Sequence, residues 1–304
     1  MTRAGAGQGE WGRADSWLPT SAVPVGPRLA LTLLAVTAIG LLAFTWPLFV
    51  DSGAAVLASP TGHSATAPLI LGVVLALSLV VTLMAISDGG MDVRAVALLG
   101  LLSAVGALIR PIAAGTGGVE TVFILLVLGG RVFGPGFGFL LGVSTLFSSA
   151  LLTGGVGPWL PFQMLAAGWV GLGAGLLPRR VGTRGTRGSR VGELSLLAGY
   201  GAVSSVAFGV LLNLSFWPFV AGMGTDISFV PGDPLGSNLA RFASYSIVTS
   251  LPWDLTRALT TAAGVLVLGH PVLVTLRRAA KRAVFVDPPR SPGDPAAAQR
   301  SSTA

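Results

Sequence analysis

The sequence predicts an all-α, polytopic helical membrane bundle. Three observations carry that prediction. Hydrophobic residues fill 52% of the 304 positions and charged residues only 10%, against about 25% in an ordinary soluble domain. The apolar residues come in runs near the roughly 20 residues that a bilayer crossing needs. The basic residues fall between those runs, and mostly on one side. So few charges could not cover a water-facing surface, whereas a surface turned toward lipid needs none.

Eight runs qualify as spans. They are Leu29–Val50, Ala67–Ile86, Ala95–Ala113, Val119–Phe133, Gly136–Thr153, Phe162–Leu177, Leu194–Ala221 and Phe242–Gly269. Pro47 and Pro60 mark the exit from the first. The fourth and sixth are short and the fifth is glycine-rich, which points to tilted or partly re-entrant helices inside a bundle. Gly134–Gly138 reads as a tight turn between spans four and five. Residues 51–66 and 222–240 read as loops on one side, the latter with turn chemistry in Pro231-Gly232-Asp233-Pro234. Residues 178–193 form a loop rich in Gly and Arg on the other side. The tail 286–304, rich in Pro, Ser and Ala, is expected to be disordered. Residues 1–28 carry no cleavable signal-peptide pattern.

Charge placement sets the expected orientation. With both ends inside and eight spans threaded, sixteen of the nineteen basic residues fall on the inner side; Arg110 and Arg241 fall outside and Arg257 within a span. The positive-inside rule selects that topology, a multi-pass protein of the inner (cell) membrane with cytoplasmic termini. The net charge of +7 is thereby explained by topology, and nucleic acid is not an expected partner. There is no cysteine, so disulfides, thiolate catalysis and cysteine-type zinc sites are excluded. His63 and His270 stand far apart, without neighbours at metal-ligand spacing. No phosphate-binding G-x-x-x-x-G-K-[ST] loop, H-E-x-x-H or G-x-S-x-G occurs. Asp88 and Asp92 are four apart beside Gly89-Gly90, and a capping or turn role fits them better than a metal site. No cofactor and no catalytic residue is expected.

Polar residues inside a bilayer are costly and therefore informative. They gather toward the outer halves of the last six spans: Arg110, Glu120, Trp159, Gln163, Asn213, Trp217, Trp253 and Asp254. Asp254 and Arg257 are spaced i,i+3 and can pair. Two readings stand. Either the pair neutralises itself, the tryptophans anchor the interface and Asn213 joins two helices, or these groups converge on a small-molecule pocket of mixed aromatic and polar character. In span three, Gly100, Ser103, Ala104 and Ala107 make small-xxx-small spacings that let another helix approach closely. That helix belongs either to this chain or to a partner subunit.

Several stretches resemble the substrate-binding S component of energy-coupling factor (ECF) transporters. They are Ala95–Arg110, the run GGVETVFILLVLGGRVFGPGFGFLLG from Gly117 to Gly142, GPWLPFQM from Gly157 to Met164 leading into Gly168-Trp169, Asn213–Trp217 and Leu251–Arg257. The resemblance extends over residues 94–285. The resemblance implies a six-helix binding core at 93–285, preceded by a cytoplasmic tail at 1–28 and a two-helix membrane extension at 29–92. It implies capture of a vitamin or similar micronutrient from outside. It also implies assembly with a transmembrane T component and two ATPase subunits, and inward release by toppling in the membrane. Gly100 and Ala104 match the spacing of the family's alanine-xxx-alanine docking surface. A stand-alone secondary transporter stays open beside this, although no internal repeat is visible. So does a membrane enzyme of isoprenoid or lipid metabolism, although no acid cluster or nucleophile–base pair is found.

Overall fold

A computed structural model describes residues 25–45, 48, 62–88, 91–112, 117–178, 187–219, 225–230 and 232–283. The predicted disordered tail 286–304, most of the loop 51–66 and the first half of the loop 178–193 lie outside these residues. All regular structure among the described residues is helical: α1 Pro27–Thr45, α2 Gly62–Ser87, α3 Val93–Ile109, α4 Val122–Phe133, α5 Pro135–Thr153, α6 Leu160–Leu176, α7 Arg187–Phe216, α8 Leu235–Thr249 and α9 Leu251–Ala283. Six of them (α1, α2, α3, α5, α7 and α9) contain segments long and apolar enough to cross a membrane, while α4 and α6 are shorter apolar helices. The protein is an all-α, polytopic helical bundle.

Two predicted boundaries are corrected. The seventh span starts earlier, at Arg187, inside what reads as a loop. The eighth breaks at Ser250: residues before it form a separate helix, α8, and α9 runs from Leu251 to Ala283. Pro252 lies two residues on; it has no N–H to bond back to the preceding turn, and its ring crowds the carbonyl four residues earlier. Hydrophobicity runs across the break uninterrupted, which is why composition alone misses it. At its other end α9 passes through Pro271, beyond the expected stop at Gly269.

The short helices are the innermost ones. All of α4 is buried except the partly buried Leu125. At 12 residues it is roughly 18 Å long, too short to cross the hydrocarbon unaided. It contacts α5, α6, α7 and α9. Close packing to α5 and α6 runs through backbone. A Cβ added at Gly130 or Gly138 would overlap the carbonyl of Gly171, and one at Gly142 would overlap that of Ala167. Gly134 turns α4 into α5 with φ of 102°, a conformation that an L side chain rarely adopts, and Pro135 opens α5. α3 packs on the other side of α5.

α1 and α2 lie against α5, α6 and α7. Leu29 packs over Gly136, and Phe44 meets Phe162 edge-on at 5.1 Å and Trp169 at 5.5 Å. Asp88 accepts a 3.0 Å bond from the Leu29 N–H at the start of α1, and Asp92 accepts a 2.8 Å bond from Ala95 N–H at the start of α3. Both aspartates therefore cap helices, as their setting beside glycines predicts. An apolar cavity of about 300 Å3 opens between α1, α2 and α6, bordered by Ile39, Gly40, Leu69, Val73 and Leu165; none of the predicted site residues lines it.

Gly138→Val forces a side chain into the Gly171 carbonyl and is expected to cost about 1–3 kcal/mol or more. Gly100→Ala meets nothing within 4 Å and is expected to cost no stability. Thermal unfolding of the detergent-solubilised pair checks the contrast.

Candidate functional site

A charged triad stands at one end of the bundle. The short segment before α4 carries Glu120, and its position depends on Gly118: with φ of 87°, Gly118 lies so close to the Trp253 backbone that a Cβ would come within 2.5 Å of that carbonyl oxygen. The first two turns of α9 supply Asp254 and Arg257. Arg257 Nε bonds Glu120 Oε2 at 2.6 Å, and its Nη1 bonds Asp254 Oδ1 at 2.8 Å. Nη1 also donates to the Ser205 carbonyl of α7 at 3.3 Å. The guanidinium carbon lies 5.3 Å from the Phe208 ring centre and 5.9 Å from that of Phe123. The Asp254 carboxylate fills the space where a side chain at Gly209 would stand. One arginine thus ties α4, α7 and α9 together. Side-chain exposure is 5% for Asp254, 12% for Arg257 and 23% for Glu120, so Glu120 is the member an incoming molecule can reach.

Beside it, the end of α3 places Arg110 between α5 and α6. Its Nη2 donates to Gln163 Oε1 at 3.2 Å and its Nη1 to Ser149 Oγ at 3.4 Å. These bonds are longer than the 2.7–2.9 Å usual when a cation meets a carboxylate. Among the described residues no carboxylate stands within ion-pair distance of Arg110, though Glu120 is near enough to feel its charge. Arg257 meets two carboxylates and a main-chain carbonyl, whereas Arg110 is held by neutral oxygens.

A third group joins this end. Asn213 of α7 donates through Nδ2 to Ser246 Oγ of α8 at 3.3 Å and to Ser250 Oγ at the break before α9. The Ser250 carbonyl accepts the Asp254 N–H at 2.9 Å. Trp217 is 1% exposed. Its Nε1 donates to the Ile227 carbonyl at 2.8 Å, and its ring meets Phe229 and Phe242, each at 5.3 Å. It supports the α7–α8 joint and has no free face for a ligand. Trp159 and Trp253 are half-exposed, at 47% and 46%.

Sequence comparison bears on this arrangement. The family model of the ECF transporter substrate-specific component matches residues 94–269, from the first turn of α3 to mid-α9. The chain belongs to that family. No curated protein and no solved structure matches it. The matched segment of this S component contains every one of the eight predicted site residues, and leaves α1 and α2 outside.

The structure brings Arg110 to Gln163, Glu120 to Arg257 and Asp254, and Asn213 to the start of α9, so the polar residues do gather at one end. It separates the four small residues of α3. Gly100 and Ala104 are exposed, whereas Ser103 and Ala107 are buried, with Ser103 Oγ bonded to Ser144 Oγ of α5 at 2.6 Å. Ser103 and Ala107 therefore belong to the internal seam and not to a free face. Arg257, read from sequence only as a partner of Asp254, is the hub of the triad. Its bond to Glu120 spans 137 positions and leaves no local signal.

The other end of the S component has a triad of opposite composition. Arg131, 6% exposed, pairs through Nε with Glu193 Oε1 at 3.0 Å and donates to the carbonyls of Leu177 and Pro178 at 3.1 and 2.9 Å. Arg277 of α9 bonds the same Glu193 oxygen. Arg131 is thus a buried structural group.

Arg257→Leu leaves Glu120 and Asp254 as uncompensated charges and is expected to destabilise the protein by about 3–5 kcal/mol. Glu120→Gln and Asp254→Asn added to it recover most of that loss. Denaturant unfolding of the three forms checks the prediction; equal stability of the single and triple variants would refute it.

Proposed function

We propose that this S component captures a small organic micronutrient of the vitamin type at its Arg257 end, which faces the cell exterior. It hands the molecule to a transmembrane T component driven by two ATPase subunits. The observation that carries this is the gathering of Arg110, Gln163, Asn213 and Asp254 from four helical elements, with Glu120 from the segment before α4, at one end of a chain of this family. Trp159 and Trp253, half-exposed at the same end, border the site, and Trp217 holds α7 and α8 beneath it. The orientation rests on the positive-inside reading of the sequence, under which most basic residues fall on the opposite side and both termini are cytoplasmic. The division into a two-helix extension at 29–92 and a binding core at 93–285 belongs to the same proposal. ATP hydrolysis resides in the partners, since this chain carries no phosphate-binding loop.

Mass spectrometry of the purified protein is expected to find a retained small molecule. With that molecule as titrant, Arg110→Gln and Asn213→Ala each raise Kd by about 10–100-fold, the loss of one hydrogen bond to a charged or buried group. Unchanged affinity in both variants would remove these residues from the site.

Docking to the T component falls to the exposed face of α3 at Gly100 and Ala104. Gly100→Leu is expected to abolish co-purification with the T component while sparing ligand binding. Normal assembly of the variant complex would reject the surface.

A further inference from the structure

Helix α8 presents an apolar face that nothing among the described residues covers. Its inward side is firmly held. Asn238 exchanges bonds with the Val230 main chain at 3.0 and 2.8 Å, Arg241 pairs with Asp233 at 2.7 Å, Phe242 and Tyr245 pack on Trp217, and Ser246 receives Asn213. The one charged group of α8, Arg241, is therefore paired toward that side. The outward arc carries Leu239, Ala243 and Ile247, one helical turn apart, with Ala240 beside them, all exposed. Ile247 is 60% exposed. Ser237 and Ser244 flank the arc.

The level of α8 in the bilayer follows from α9. Arg257 and Arg277, the members that α9 gives to the two triads, are twenty positions apart, or roughly 30 Å of helix, the thickness of the hydrocarbon core. Residues before Arg257 thus enter the headgroup layer. Trp253 and Trp159, both half-exposed at this end, are the residue type that concentrates at that boundary. The apolar arc of α8 also leads through exposed Leu251 and Trp253 into the exposed leucines Leu255, Leu259 and Leu266 of the membrane span α9.

We infer that α8 is an interfacial helix: its Leu239–Ala243–Ile247 face is immersed in the lipid leaflet on the Arg257 side, while its opposite face closes on Asn213 and Trp217. An amphipathic helix lying in the boundary buries its apolar side among acyl chains and keeps its polar flank toward headgroups. Because the partner of α8 is the leaflet, α8 couples the Asn213–Ser250–Asp254 end of the site to the membrane surface.

The absence of cysteine from the chain gives a direct test. Leu239→Cys, Ala243→Cys, Ile247→Cys, Ser237→Cys and Ser244→Cys are made singly in the full-length protein, spin-labelled and placed in phosphatidylcholine nanodiscs. Collision rates with oxygen, which favours hydrocarbon, and with a water-soluble nickel chelate are then compared. Labels at 239, 243 and 247 are expected to favour oxygen by several-fold over those at 237 and 244. Labels at 239 and 247 that collide preferentially with the nickel chelate would place the face in water and overturn the inference. So would a lack of difference between the two sets.

Discussion

The bundle depends on buried arginine. Arginine stays charged in protein interiors, so an arginine among packed helices must be met by acids and carbonyls or the helices separate. Arg257 meets two carboxylates and a carbonyl at one end of the α4–α7–α9 group. At the other, Arg131 and Arg277 share Glu193. Composition inverts between the ends, acid–arginine–acid against arginine–acid–arginine, and both ends join the same three helices. Hydrophobic attraction between helices is weak in lipid, which leaves these ionic junctions and the close backbone contacts to fix the geometry.

The two arginines at the Arg257 end are placed for different tasks. Arg257 is pinned by short bonds on several sides and cannot turn to a ligand without abandoning Glu120 or Asp254. Arg110 is held by longer bonds to an amide and a hydroxyl. Desolvated cations held only by neutral groups retain appetite for an anion or a carbonyl oxygen. A cation bridging two acids and a cation met only by neutral oxygens therefore stand at the same end of the bundle.

Much of this was legible in the chain. The low charge and the apolar runs gave the all-α membrane class, the flanking glycines gave Asp88 and Asp92 as caps, and stretches such as GPWLPFQM gave the family. What stayed hidden depends on tertiary contact. The Glu120–Arg257 bond joins residues from opposite ends of the core. Trp217 reads as a ligand-stacking group until its indole N–H is found on the Ile227 carbonyl. The small residues of α3 share a spacing, but helical rotation turns Ser103 and Ala107 toward α5 and Gly100 and Ala104 away. The break at Ser250 interrupts backbone and not hydrophobicity, so a search for apolar length passes over it.

The glycine seam among α4, α5 and α6 carries a mechanical consequence. Where main chain rests on main chain, as at Gly138 and Gly171, there are no rotamers to exchange and no lateral slack to take up a displacement. That trio moves as a solid block. Around α8 the contacts are of another kind: asparagine and serine side chains, one ion pair and aromatic rings, and not interlocked carbonyls, hold it to its neighbours.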